Sequence, residues 1–262
     1  MFFYYTIKNK LNHVDKFLKI KSFLSDALFP KFCLGCGREG IFLCQDCRHA
    51  LDISEYNFCL CENNPQTLPP HSALGKCAKC QNKKLDGLYF ALAYKEKPLT
   101  KKLIHQFKYQ PYLKSLAPTL ASILAEHFIK TGKNTNEVWQ NSILIPVPLD
   151  KNKFNNRGYN QSEELAKELA KILKIPAISN YLIKTKPTKP QMELNKSERE
   201  KNLQNAFAIK TAEARPPLTF ASKKVFLVDD VYTTGSTMQE CAKVLKSSGV
   251  KQVWGIAIAR EG

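Results

Sequence analysis

Residues 224–237 read KVFLVDDVYTTGST, and this stretch decides the fold of the larger part of the chain. The apolar run Val225–Val228 predicts a buried strand, which ends at two adjacent aspartates. A loop of small residues follows, and a helical pattern then runs over Thr237–Lys246. A strand, a loop and a helix in this order are typical of an α/β domain.

The loop and the aspartates together predict a site for ribose 5-phosphate. Residues 233–237 supply consecutive backbone amides and four hydroxyl groups, and such groups at the start of a helix bind phosphate. Carboxylates beside a phosphate repel it unless they accept hydrogen bonds, so we expect Asp229 and Asp230 to hold the ribose diol. In the alternative interpretation the aspartates are turn residues and the loop only caps the helix. The predicted phosphate-binding residues are Thr233, Thr234, Gly235, Ser236 and Thr237.

The same alternation of apolar runs and helical patterns extends over residues 85–262. Further strands are predicted at 88–94, 142–147 and 252–259, and further helices at 99–107, 116–129 and 163–173. We therefore expect an α/β fold with a parallel sheet and helices on both faces. Cys241 shares one face of the 237–246 helix with Met238 and Leu245, which places it in the predicted core.

Eight of the nine cysteines stand in close pairs. Cys33-Leu-Gly-Cys36 and Cys44-Gln-Asp-Cys47 are two CxxC pairs seven residues apart, a spacing at which four thiolates can surround one zinc ion. The second set, Cys59-Leu-Cys61 and Cys77-Ala-Lys-Cys80, has one short spacer and is therefore a weaker motif. Two sites could form from consecutive pairs or from interleaved pairs, and His49 or His71 could substitute as ligands. We expect structural zinc, because four protein ligands leave no position for a reactive water.

Composition and charge limit the class of protein. No apolar run is long enough to span a membrane, and no secretory signal pattern is visible, so a cytoplasmic protein is expected. The net charge of +17 favours phosphorylated ligands or nucleic acid, although a solvated basic surface explains it equally well. The predicted organisation is a helical extension over residues 1–31, a cysteine-rich zinc-binding module over 32–84 and the α/β domain over 85–262.

The stretch Val225–Thr237 resembles the phosphoribosyl-pyrophosphate (PRPP) signature of type I phosphoribosyltransferases. With paired cysteines upstream, the chain is similar to the ComF/ComFC family of competence proteins. The resemblance covers nearly the whole chain and implies a type I phosphoribosyltransferase-like sheet behind a small zinc-ribbon module. Other segments that match the family in order are Leu28–Pro30, Ile104–Tyr109, Ile145–Pro148, Arg157–Gln161 and Thr188–Phe207.

The resemblance also implies roles for individual residues. Asp229 and Asp230 would be catalytic and would bind the ribose hydroxyls of PRPP, which would arrive with Mg²⁺. Residues Pro148–Lys151 would form the pyrophosphate loop, and Arg157 would reach the pyrophosphate or anchor the helix after it. Residues 186–201 would form a mobile lid. The lid candidates are Lys189, Gln191 and Arg199.

Three hypotheses for function follow from the resemblance. The first is a cytoplasmic protein of natural transformation and DNA uptake, which binds a phosphoribosyl ligand and handles single-stranded DNA. The second is an active phosphoribosyltransferase that transfers ribose 5-phosphate from PRPP to a nucleobase or small amine and releases pyrophosphate. The third is a scaffold whose zinc module docks DNA-uptake proteins.

Overall fold

The computed structural model describes residues 30–69, 75–95, 97–186, 203–210 and 223–261. The chain divides into two compact units, Met1–Ala50 and Leu51–Gly262. The described part of the first unit contains one helix, α1 (Gln45–His49). Nearly all of the predicted extension over residues 1–31 lies outside the described residues. No helix in the described ranges is long and apolar enough to cross a membrane.

The second unit contains eight strands and six α-helices among its described residues. The strands are β1 (Asn57–Phe58), β2 (Thr67–Leu68), β3 (Gly87–Ala93), β4 (Ser142–Pro146), β5 (Leu182–Lys184), β6 (Phe207–Ile209), β7 (Lys224–Tyr232) and β8 (Gln252–Arg260). The helices are α2 (Pro98–Lys108), α3 (Ala117–Lys130), α4 (Asn136–Trp139), α5 (Lys151–Arg157), α6 (Gln161–Leu173) and α7 (Ser236–Ser247). The predicted strands and helices of the α/β domain all form, with ends that shift by a few residues.

A parallel sheet forms the centre of the second unit. Its four strands lie in the order β3-β8-β7-β4, and each neighbouring pair is parallel. Parallel strands buried on both faces are apolar along most of their length, which explains the run Val225–Val228. Two antiparallel pairs, β1 with β2 and β5 with β6, accompany this sheet. The predicted α/β fold with a parallel sheet is confirmed.

Helices cover both faces of the sheet, as neighbouring residues of β3 show. Successive residues of a strand point to opposite faces. Leu88 belongs to a core cluster that includes Met238 and Cys241 of α7. The ring of Tyr89 instead packs against Phe128 of α3, at a centroid distance of 5.9 Å, and against Trp139 of α4, at 6.1 Å. Cys241 is fully buried, so its predicted place in the core is confirmed.

The division into units separates the two sets of cysteines. Cys59, Leu60 and Cys80 are buried in the same core cluster as Leu85 and Leu227 of the sheet region. The second set therefore belongs to the same compact unit as the sheet, whereas the first set lies in Met1–Ala50. The expected organisation, with one cysteine-rich module over 32–84, grouped the two sets together. The burial of the second set against the sheet is a contact that sequence spacing does not encode.

Candidate functional site

The two aspartates lie within β7 rather than at its end. The strand continues to Tyr232, because Asp229 and Tyr232 still pair with Ala257 and Arg260 of β8. Our expected end at Val228 was therefore too early. Neighbouring residues of a strand point to opposite faces, so the two carboxylates have different surroundings.

Asp230 forms an ion pair with Lys108, the last residue of α2. The Lys108 Nζ donates to Asp230 Oδ1 at 3.0 Å, and the side chains of the lysine and the aspartate are 28% and 3% exposed. Burial lowers the pKa of Lys108. The charges of Asp230 and Asp229 raise this pKa by more than burial lowers it, so the net shift is upward. Asp230 Oδ2 is buried and accepts no hydrogen bond from the described residues. The site thus holds a buried carboxylate with one unused oxygen.

Asp229 is held by α6. The hydroxyl of Ser162 donates to Asp229 Oδ1 at 2.8 Å, and the Asp230 amide donates to the same oxygen at 2.9 Å. Burial and then the charge of Asp230 raise the pKa of Asp229 to about 7. This carboxyl group therefore keeps its proton to a higher pH than an ordinary aspartate does.

The segment that precedes Ser162 connects the end of α2, the end of β4 and the start of α6 near the carboxyl end of β7. The Asn160 side chain donates to the Val147 carbonyl at 3.0 Å, just after β4. Its Oδ1 accepts from the Ser162 amide at 3.1 Å, which caps α6. The Tyr159 hydroxyl donates to the Phe107 carbonyl near the end of α2. These bonds position Ser162 against Asp229 and the end of α2 beside Asp230.

Lys108 and Ser162 were not among the site residues that we predicted from the sequence. Lys108 lies in the matched segment Ile104–Tyr109, whereas Ser162 directly follows the matched segment Arg157–Gln161. Their partners are 122 and 67 residues away in the chain. The only available signal was that each residue lies in or directly after a segment matched to the family.

Arg157 ends α5 beside a left-handed glycine, Gly158, with φ 80°. Its Nη1 donates to the Gln161 side chain, and its Nε is buried without a hydrogen-bond partner among the described residues. Burial raises the pKa of Tyr159 to about 12, and the nearby charge of Arg157 opposes that shift. Arg157 is thus anchored to the start of α6 and still has a free donor.

The loop of residues 233–237, which we call the hydroxyl loop, joins β7 to α7. Helix α7 begins at Ser236, and Gly235 precedes it with φ 76°. A Cβ atom on Gly235 would lie 2.2 Å from the ring of Tyr232, so only glycine fits this turn. The side-chain oxygens of Thr234 and Ser236 are 2.8 Å apart. A helix N-terminus with paired hydroxyls is suited to an anion.

A cleft of about 430 Å³ opens beside the hydroxyl loop. Its lining includes residues of the loop and of the first turns of α7, together with residues 82–84 and Glu62. The lining residues are Glu62, Asn82, Lys83, Lys84, Leu203, Gln204, Thr234, Ser236, Gln239, Glu240 and Lys243. Three lid candidates, Lys189, Gln191 and Arg199, lie outside the described residues, as does His71.

The first cysteine cluster consists of Cys33, Cys36, Cys44 and Cys47, whose sulfurs all lie within 4.8 Å of one another. The sulfurs of Cys36 and Cys44 are 3.6 Å apart, near the roughly 3.8 Å edge of a zinc–thiolate tetrahedron with 2.3 Å bonds. The Cys44 amide donates to the Cys33 sulfur at 3.3 Å, which offsets thiolate charge. These four residues could hold one metal ion, and the chemistry of the donor set suits zinc.

The second cysteine cluster, Cys59, Cys61, Cys77 and Cys80, meets the same distance criterion. The Cys77 sulfur lies 3.5 Å from that of Cys61 and 3.7 Å from that of Cys80. The short Cys59-Leu-Cys61 spacer therefore does not prevent four sulfurs from converging. Both clusters use consecutive pairs, which resolves the choice between consecutive and interleaved arrangements.

Contacts of Arg260 and Gln239 tie the second cysteine cluster, and the residues that follow it, to the hydroxyl loop region. The buried Arg260 side chain, on β8, donates to the carbonyls of Cys59 and Cys61. Its guanidinium carbon lies 5.7 Å from the centre of the Tyr232 ring, which backs the loop. Gln239 of α7 accepts from the amide of Lys84 at 2.6 Å. The cluster is thus part of the framework that positions α7.

Comparisons with known proteins identify the family. Residues 158–261 match the phosphoribosyl transferase domain. The chain is 34% identical to competence protein F of Haemophilus influenzae over 83% of this chain and 97% of that protein. The chain belongs to the ComF family. It is also 28% identical to the Escherichia coli K12 DNA utilization protein YhgH, over 81% of this chain and 95% of that protein. Competence protein ComFC of Streptococcus pneumoniae is 27% identical, over 83% of this chain and 87% of that protein.

Proposed function

We propose that this ComF-family chain binds a 5-phosphorylated ribose, with PRPP as the reference ligand. The site lies at the carboxyl end of β7, where the chain turns into α7. The observation that carries the proposal is the pair of adjacent aspartates in β7, of which Asp230 is buried and Asp229 half-buried, followed directly by the hydroxyl loop at the start of α7. The match to the phosphoribosyl transferase domain covers this whole region.

The chemistry of the residues supports this ligand. The amides and hydroxyls of residues 233–237 would receive the 5-phosphate, helped by the positive end of the α7 dipole. The unused Oδ2 of Asp230 would accept a hydrogen bond from a ribose hydroxyl. Lys108 supplies positive charge beside the aspartates. Arg157, anchored to the start of α6, would help it to bind a pyrophosphate group that arrives with Mg²⁺. The lid candidates Lys189, Gln191 and Arg199 remain part of this proposal.

The biological role that we propose is natural transformation or DNA utilisation in the cytoplasm. The names of the relatives concern competence and DNA utilization, and a net charge of +17 favours binding to single-stranded DNA. DNA-uptake proteins are the proposed partners. Each cysteine cluster would hold one structural zinc ion, since four thiolates leave no coordination position open.

Calorimetric titration of PRPP with Mg²⁺ tests the ribose-phosphate site. We expect the wild type to bind and the double variant Asp229→Ala/Asp230→Ala to lose binding. Asp52→Ala is the control, because Asp52 has an exposed side chain and its ion pair among the described residues is a long one, 3.4 Å to Lys97. Absence of binding to the wild type, or binding that survives in the double variant, would refute the site. Circular dichroism of each variant checks that it folds.

Single-stranded DNA handling has a separate test. Electrostatic binding to a strand weakens steeply with salt. We expect fluorescence anisotropy to detect binding of a 3′-labelled oligonucleotide at low salt and its loss as salt rises. A protein that does not bind the strand at low salt would contradict the DNA-handling role.

An active phosphoribosyltransferase is the second candidate, and the surroundings of Asp229 favour it, because burial and the charge of Asp230 raise the pKa of its carboxyl group. A carboxyl group with a pKa of about 7 can accept a proton at neutral pH, as a general base for an acceptor nucleophile must. The assay is PRPP-dependent pyrophosphate release with a panel of nucleobases and small amines. Binding of PRPP without release for any acceptor in the panel would favour the binding role over catalysis.

A further inference from the structure

The cleft beside the hydroxyl loop is separate from the aspartate pair. Thr234 and Ser236 of the loop line it, whereas neither aspartate appears among its lining residues in the described part of the chain. From the loop it extends past Gln239 and Lys243 on successive turns of α7. A phosphate on the hydroxyl loop would therefore have the ribose-binding carboxylates on one side and an open cleft on the other.

The lining of the cleft is polar and carries excess positive charge. Leu203 is the one apolar residue among the lining residues that the structure describes. Lys83 pairs with Glu62 at 2.8 Å and Lys243 pairs with Glu240 at 3.3 Å. Lys84 is exposed and has no ion pair within the described ranges. The paired lysines and glutamates offset each other, so Lys84 and the start of α7 supply the net positive charge.

We propose that this cleft binds the phosphodiester-linked nucleotide on the 5′ side of the ribose whose phosphate lies on the hydroxyl loop. The inference rests on the proposed function and specifies its ligand as a nucleic-acid strand rather than only a terminal ribose phosphate. A phosphodiester keeps two charged or polar oxygens for the loop while its bridging oxygen leads to the next nucleotide. The cleft lies where that nucleotide would continue.

The size and chemistry of the cleft fit this occupant. A volume of about 430 Å³ lies within the roughly 300–1,000 Å³ range of small-ligand sites. Amide and hydroxyl side chains such as Asn82, Gln204 and Thr234 can bond to sugar and phosphate oxygens. Lys84 lies where it can neutralise one backbone phosphate.

A charge-reversal pair tests the proposal. Lys84→Glu alters the cleft, and Lys79→Glu is the control, because Lys79 is also exposed, lies five residues away and does not line the cleft. Affinity for a 3′-labelled single-stranded oligonucleotide is measured by anisotropy from 0.05 to about 0.2 M salt, and affinity for PRPP with Mg²⁺ by calorimetry. Loss of one phosphate contact lowers the salt slope by about 0.7, or about fivefold in affinity at 0.1 M salt.

We expect Lys84→Glu to weaken strand binding at least fivefold and to leave PRPP binding unchanged, with Lys79→Glu close to the wild type. Saturating PRPP should displace the strand, because both ligands use the hydroxyl loop. Equal weakening by both variants would indicate diffuse electrostatics and overturn the proposal, as would a strand that PRPP does not displace. If the wild type binds no PRPP, the proposed ribose-phosphate site fails, whereas strand binding that still depends on Lys84 would show that the cleft acts without it.

Discussion

Replacing Gly235 by alanine tests the close contact between the hydroxyl loop and Tyr232. Gly235 has φ 76° and ψ 0°, and a Cβ atom there would lie 2.2 Å from both Cζ and the hydroxyl oxygen of Tyr232. The tyrosine is 2% exposed, so its ring cannot move aside without disturbing the core. The substitution therefore combines backbone strain with a steric clash.

Gly158 provides a matched control. Its backbone angles, φ 80° and ψ −4°, are nearly the same, and a Cβ atom there would meet nothing within 4 Å. A left-handed conformation costs alanine about 1 kcal/mol at either position. Displacing the Tyr232 ring adds about 1–3 kcal/mol, the range for overpacked cores. We expect Gly235→Ala to lower the free energy of unfolding by about 2–4 kcal/mol and Gly158→Ala by about 1 kcal/mol.

Urea unfolding, followed by tryptophan fluorescence, measures both variants. Trp139 and Trp254 are buried in the second unit and report its unfolding. The midpoint should fall further for Gly235→Ala while the slope stays unchanged. Equal losses for the two variants would refute the reasoning, because they would leave no contribution from the Tyr232 contact.

Three further predictions concern metal, pH and ligand binding. Cys59→Ser should remove one zinc ion and lower the melting temperature of the second unit by about 10 °C. Cys36→Ser should also remove one zinc ion, but it should leave that melting temperature unchanged. Equal effects of the two variants in calorimetry would contradict the division into units. Burial lowers the pKa of His127 to about 4, so below pH 6.5 the unfolded chain binds a proton that the folded chain does not, and stability falls by about 2.5 kcal/mol from pH 7.5 to pH 4.5. Urea midpoints should show this loss reduced in His127→Gln. The third prediction assumes that the ionised form of Asp229 accepts the ribose hydroxyl. The PRPP affinity of the wild type, divided by that of Asp229→Asn, should then rise about tenfold from pH 6 to pH 8 in calorimetric titrations, since the pKa is about 7. A ratio that stays constant with pH would count against this role.

The local features of this protein could be predicted from its sequence. The stretch 224–237 indicated a strand, a loop and a helix, and all three form. The spacing of apolar residues and the residues that start a helix are both local features, which depend only on a few neighbouring positions. The cysteine spacing likewise identified the eight residues that converge in two clusters. The place of Cys241 in the core followed from its position on the apolar face of α7.

The partners of the site residues were decided by the tertiary structure alone. Lys108 reaches Asp230 and Ser162 reaches Asp229 because the sheet order β3-β8-β7-β4 and the bonds of Asn160 bring α2 and α6 to the same edge of β7. Strand order does not follow chain order, so no local pattern encodes these contacts. The same holds for the cleft, whose lining combines Lys84, which follows the second cysteine cluster, with Lys243 of α7. The burial of that cluster in the core of the sheet region brings these distant parts of the chain together.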